Sequence, residues 1–231
     1  MLVVELLRPG RQWPRVPGWI ARALLLNALQ AGAVFLAGLT WDRWFPQLRL
    51  LDLQHFGTVF SALVGYLVIT FVYYWWHRAR HEIGFLWRWF HQVHHSPQRI
   101  EVLTSFYKHP LELIANGALS SFILYALLGL DPAAAALAVT LTGIAELFYH
   151  WNVKTPYWLG FFIQRPESHC VHHQDGWHRS NYSDIPLWDM LFGTFHNPRD
   201  YDAACGFGPE REPQLADMLR GRDVNAPRSH P

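Results

Sequence analysis

Histidines at metal-ligand spacing are the chemistry-bearing residues of this chain: His77 and His81 in HRARH, His91, His94 and His95 in HQVHH, and His169, His172 and His173 in HCVHH. On a helix, positions i, i+3 and i+4 fall within an arc of about 100°, so each cluster is expected to aim its imidazoles to one side. A lone histidine on an apolar face is ordinarily a hydrogen-bonded core residue, but three such clusters in one short chain point to metal. Eight imidazoles exceed one coordination sphere, so two ions are expected. Structural zinc sites close with four ligands and usually recruit cysteine, whereas an all-imidazole site with open positions suits iron and oxygen chemistry. Imidazole also accepts zinc, copper and nickel, so residue types alone leave the metal open.

Glu146 and His150 extend the set. They are spaced i, i+4 near the end of an apolar segment, where an ionisable group is costly and therefore a functional candidate. His150 reads as a further ligand. Glu146 reads as a ligand or as the partner of a ligating histidine, against the alternative of a helix-end carboxylate reaching water. His109 in FYKHPLE, His178 in GWHRSN and His196 in GTFHNP are single histidines, read as surface or hydrogen-bonding residues, although His178 follows the third cluster closely enough to approach the metals. Cys170 lies about 100° from His169 and reads as packing. His55 and His230 carry no assignment.

The elements that position these residues are apolar. Of 231 residues, 51% are apolar, and they come in blocks. Phe56 to Trp76 and Leu113 to Leu130 carry no charge, and each approaches the ~20 residues that span a bilayer core. Ile20 to Leu39 and Pro132 to Trp151 are weaker spans of similar length. Short links, one of them Asp131-Pro132, join the four into two hairpins, which puts every histidine cluster on one side of the membrane. Arg8, Arg11, Arg15, Arg22, Arg78, Arg80, Arg88, Arg99 and Lys108 fall on that side against Arg43 and Arg49 opposite, so the clusters and both termini are expected in the cytoplasm. Trp75, Trp76, Trp87 and Trp89 read as interfacial anchors, and Arg78, Arg80 and Arg88 as phosphate-facing surface.

The expected fold is an all-α integral membrane protein, with about four transmembrane helices in two hairpins under a cytoplasmic, helical, histidine-rich cap. Residues 1–208 read as one domain and 209–231 as a polar, frayed tail. The start of the chain lacks the pattern of a cleaved signal peptide. Cys170 and Cys205, both on the reducing side, are not expected to form a disulfide. A net charge of +1 gives no support to nucleic-acid binding.

H-x-x-x-H, H-x-x-H-H and H-x-x-H-H, in this order between paired apolar spans, resemble the fatty acid hydroxylase and sterol desaturase superfamily of membrane di-iron oxygenases. The likeness runs from about Phe56 to Phe195 and includes KHPLE at 108–112 and NYSDIPLWDMLFGTF at 181–195, with Ser183 where the family usually has glycine. Glu146 stands where some members carry a further histidine, which makes it a candidate carboxylate substitute. The resemblance implies two iron ions, replaceable by zinc in preparations, dioxygen as co-substrate, and hydroxylation or desaturation at an unactivated C–H bond of a lipid. It implies His77, His81, His91, His94, His95, His150, His169, His172 and His173 as ligands.

The chain has no nucleotide fingerprint, haem-attachment motif or iron–sulfur cysteine set, so an external electron-transfer protein is expected; Arg99, Lys108 and Arg165 read first as solvated or phosphate-facing surface, with docking of an acidic carrier as the alternative. Two other classes make different demands on the histidines. A histidine-lined metal transporter would gather its site near the bilayer midplane, and a membrane zinc hydrolase would place a glutamate beside its first histidine, which HRARH does not.

Overall fold

The computed structural model describes residues 1–177 and 179–226. It consists of α1 (Leu2–Leu7), α2 (Trp19–Leu39), α3 (Trp41–Trp44), α4 (Thr58–Glu82), α5 (Gly84–Leu86), α6 (Gln92–His95), α7 (Pro110–Ser121), α8 (Pro132–Tyr149), α9 (Pro166–His172), α10 (Pro186–Phe192) and α11 (Leu215–Met218). A π-helical turn, Trp87–His91, leads into α6, and another, Phe122–Leu127, prolongs α7. Among the described residues there is no strand, only an isolated bridge between Gln174 and Cys205. His178 and residues 227–231, His230 included, lie outside the described residues.

Four segments are long and apolar enough to cross a membrane: Trp19–Leu48, Thr58–Glu82, Pro110–Leu127 and Pro132–Tyr149. The second runs further than its charge-free core. At about 1.5 Å per residue, the 25 residues of α4 reach roughly 37 Å, so one rigid helix both spans the apolar layer and carries His77 and His81. Local chemistry sets the ends. Asp131 caps α8, its carboxylate accepting from the amides of Ala133 (2.8 Å) and Ala134 (3.1 Å), and Pro132 fills the first helical position, where no amide proton is needed. Just before it, Gly129 has φ +62°, and a Cβ there would lie 2.0 Å from the carbonyl oxygen of Leu51.

Short connections link the first span to the second and the third to the fourth, yet packing interleaves the two hairpins: α4 packs on α8, and α2 on α7. Small residues make the α4–α8 contact close. Ala62, Ala134, Ala135 and Ala138 are buried there, and a Cβ on Gly65 would come within 2.8 Å of the Leu124 side chain. A second core, of Trp19, Leu26, Val93, Tyr107, Phe207 and Met218, joins α2 to the cap.

Met218 belongs to the segment expected to fray. From Pro209 to Ala226 the chain folds back instead: Glu212, fully buried, pairs with Arg22 at 3.1 Å, and Gln92 donates to the carbonyl of Arg222 at 2.7 Å. A polar composition misleads here because the stretch docks through a few buried contacts rather than an apolar face. The tryptophans also differ from expectation. Trp75 is 43% exposed, but Trp76 donates to Asn116 Oδ1 at 2.9 Å, Trp87 packs on His81 and His95, and Trp89 on His109.

Candidate metal centre

The nine histidines at 77, 81, 91, 94, 95, 150, 169, 172 and 173 converge into two adjoining groups. One holds His77, His81, His91, His95 and His172, and the other His94, His150, His169 and His173, with one nitrogen of each residue within 4.8 Å of the others in its group. The clusters therefore do not aim one way. Each H-x-x-H-H divides: His91 and His95 enter the first group while His94 enters the second, and His169 and His173 enter the second while His172 enters the first. Helix geometry accounts for this. Residues i and i+4 differ by only about 40° around the axis, whereas i+3 and i+4 differ by about 100°, so a helix wedged between the two groups serves one with its i, i+4 pair and the other with i+3.

Carbonyls fix which nitrogen faces inward. Nδ1 of His77 lies 2.7 Å from the carbonyl oxygen of Tyr182, Nδ1 of His172 2.7 Å from that of Ser180, and Nδ1 of His150 2.8 Å from that of Glu146. A carbonyl only accepts, so each Nδ1 carries the proton and each Nε2 presents a lone pair. Nε2 of His77 and Nδ1 of His94 are buried without a hydrogen-bond partner. In the second group Nε2 of His169 lies 3.0 Å from Nε2 of both His150 and His173. Nitrogen lone pairs gathered this closely fit a shared metal ion.

Burial keeps the rings neutral, as ligation requires. It pushes the pKa of His91, His94, His95 and His169 well below the usual 6.5 and that of His150 down to about 3, with neighbouring histidines adding to the effect at the first four.

Around the rings stand groups that spacing alone did not reveal. Arg80, expected at the surface, is 4% exposed; its guanidinium pairs with Glu112, whose Oε1 also lies 3.1 Å from Nδ1 of His91. Glu112 belongs to KHPLE, and the rest of that motif builds its helix start: the ring of His109 accepts from the amide of Leu111 at 3.1 Å, and Pro110 opens α7. NYSDIPLWDMLFGTF folds as a clamp. Asp189 accepts from the amides of Tyr182 (2.8 Å) and Ser183 (3.1 Å) and from the hydroxyl of Thr194 (2.7 Å), which holds the Tyr182 carbonyl against His77. Ser180 and Asn181, at φ +68° and +55°, bend the chain so that the Ser180 carbonyl meets His172. The motif was visible in the sequence; its task of aiming carbonyls was not.

Glu146 stands outside both groups. Its carboxylate pairs with Lys108, and its backbone carbonyl is what orients His150. Lys108 and Arg165, read as surface residues with docking as the alternative, are instead internal: Arg165 is 0% exposed and bonds Thr155, Asn197 and the carbonyl of Pro198. Arg99 is bound to Glu101 at 2.7 Å. Cys170 and Cys205 are buried and free, and Cys170 packs beside Ile100 and Val171.

Two openings reach the rings. A cavity of about 450 Å³ runs between α2, α4, α7 and α8 and ends on His77, His91, His94 and His169, with Lys108, Glu146 and Asp184 beside them. Burial and the charge of Glu146 raise the Asp184 carboxyl to about 7. An open cleft of about 850 Å³ reaches His81 from the other side, lined among others by Arg78, Trp87, Trp177 and Arg179.

The sequence profile of the fatty acid hydroxylase family matches residues 62–194, the stretch that carries all nine of these histidines. The chain belongs to this family. Among curated members it is similar to the ornithine lipid hydroxylase OlsE of Rhizobium tropici, at 33% identity over 60% of this chain and 43% of that protein. It is similar also to the sphingolipid C4-hydroxylase sur2 of Schizosaccharomyces pombe, at 27% over 61% of this chain and 49% of that one. With human alkylglycerol monooxygenase it shares 31% identity over 60% of this chain and 30% of that one. The chain thus spans less than half the length of these relatives. No solved structure matches it.

Proposed function

We propose that this protein is a membrane lipid oxygenase in which the two imidazole groups hold two iron ions. The observation that carries this reading is that nine histidines gather in two groups and that four of them, His77, His91, His94 and His169, line a cavity between membrane-length helices. When bound, the metal pair supplies dioxygen activation and the oxidant for an unactivated C–H bond. The chain's own residues bind and orient. His77, His81, His91, His95 and His172 hold one ion, and His94, His150, His169 and His173 the other. The carbonyls of Tyr182, Ser180 and Glu146 and the carboxylate of Glu112 hold four of these rings in register. The cavity walls keep water from the carbon to be oxidised.

A lipid hydroxylase fits the names of the relatives. Electrons enter from a separate carrier protein, and the cleft that reaches His81 is the face for it, with Arg78 and Arg179 at its edge. The arginine asymmetry supports a cytoplasmic position for this face.

Cells expressing the protein under isotopically labelled dioxygen test the reading. The expected result is a lipid bearing one labelled hydroxyl, abolished by His94→Ala. A new double bond without label would assign desaturation. An unchanged lipid profile together with histidine-dependent metal uptake into vesicles would overturn the enzyme reading in favour of transport.

A further inference from the structure

Val34 on α2 and Val139 on α8 both line the cavity that ends on the histidines, and both are open to the outside, 60% and 45% exposed. A wall residue that is also a surface residue marks a mouth. The packing explains why a mouth lies there: α2 packs chiefly on α7 and α8 on α4, so the α2–α8 seam is a loosely packed side of the bundle among the described residues. Gly143, one turn from Val139 toward the histidines, lines the same cavity, and a Cβ added to it would meet no atom within 4 Å. The surface around the mouth is apolar, with Phe35 and Ile144 exposed beside it, so it opens on hydrocarbon rather than on water.

The inner end is different. The Lys108–Glu146 ion pair and Asp184 line it next to His94 and His169, so the inner end of an otherwise apolar passage is polar. Val139 and Glu146 are seven residues apart on one helix, about 10 Å at 1.5 Å per residue. A hydrocarbon chain advancing ~1.25 Å per carbon covers that distance with about eight carbons.

We propose that the substrate is a bilayer lipid that slips in sideways between Val34 and Val139, seats its polar end at Lys108, Glu146 and Asp184, and leaves the remainder of its chain in the bilayer. What happens at the metal end rests on the oxygenase reading; the lateral passage does not. Only about the first eight carbons are then enclosed, so oxidation falls near the polar end and chain length beyond that point is not read.

A fatty acid carrying a diazirine within its first eight carbons, fed to expressing cells so that it enters their acyl lipids, tests the passage without turnover. After irradiation, adducts are mapped on the full-length protein. The expected adducts lie on inner residues such as Ile69, Leu113 and Gly117 as well as on exposed Phe35 and Ile144. In Val34→Trp and Val139→Trp the inner adducts fall at least tenfold while the outer ones persist, and Leu36→Trp, equally lipid-facing but outside the cavity, changes neither. Adducts confined to exposed residues in the unsubstituted protein, or inner adducts undiminished in both tryptophan variants, would overturn the proposal. Inner adducts that respond in this way, in cells whose lipids gain no labelled oxygen, would leave the passage standing and refute the oxygenase reading.

Discussion

His94 and His95 are neighbours in sequence and face different groups, their ring centroids 5.6 Å apart and their planes at 89°. Substituting either should therefore remove a different ion. Protein purified anaerobically with iron supplied is expected to hold two ions per chain, and His94→Ala or His95→Ala about one each. Elemental analysis decides: a single ion in the unsubstituted protein would end the dinuclear reading.

Glu112 joins two partners at once, the buried guanidinium of Arg80 and the ring of His91. Removing it strands a buried cation, which costs about 3–5 kcal/mol, and frees a ligand ring, which typically lowers metal affinity or activity about 10–100-fold. Glu112→Ala should lower the thermal midpoint markedly, and Arg80→Met/Glu112→Met should recover much of that loss without recovering metal affinity. A double variant as unstable as the single one would contradict the ion-pair account.

Glu146 sits one helical turn before His150, a spacing that reads as ligation, but its carboxylate is committed to Lys108. Glu146→Gln is expected to retain two ions per chain while lowering turnover on the native lipid at least tenfold. Loss of an ion in that variant would return the carboxylate to the metal.

Acid should unfold the metal-free cap early. Five histidines outside the membrane segments have folded pKa values below the usual 6.5, His150 at about 3. Below pH 6.5 the unfolded chain binds protons that the folded chain does not. Stability therefore falls as pH falls, by up to about 1.4 kcal/mol per unit for each such histidine. Near-ultraviolet circular dichroism of metal-free protein should collapse between about pH 6.5 and 5, and bound metal should move the collapse lower. A flat signal to pH 5 would show that these rings are not held neutral.

Reporter fusions after Pro46 and after Asp202 should fall on opposite sides of the membrane, the second in the cytoplasm. Matching reports from both would break the four-span topology.

Much of this was legible because it rests on local patterns. Charge-free runs define the spans, and i, i+3, i+4 spacing finds the histidines before any tertiary contact is known. What escaped reading is what tertiary contact alone decides. Arg80, Lys108 and Arg165 look like surface charges because arginine and lysine usually are, and only the fold supplies Glu112, Glu146 and Asn197 to receive them. The division of each H-x-x-H-H between two groups follows from helix angles, but it becomes visible only when helices from both hairpins close on the same point. The pairing of α2 with α7 and α4 with α8 likewise leaves no mark in the order of the spans.

The unbroken length of α4 couples the centre to the thickness of its solvent. The helix that bears His77 and His81 is anchored in the apolar layer over most of its 25 residues, while His150 follows the end of α8 and His169 rides on the cap. A bilayer thinner or thicker than the helix tilts or slides it, at a cost of fractions of a kcal/mol per ångström. Such a shift moves the first imidazole pair against rings held elsewhere. On the oxygenase reading proposed above, the lipid is both reactant and mechanical environment, and a membrane whose thickness changes as its chains are modified acts back on the geometry that modifies them.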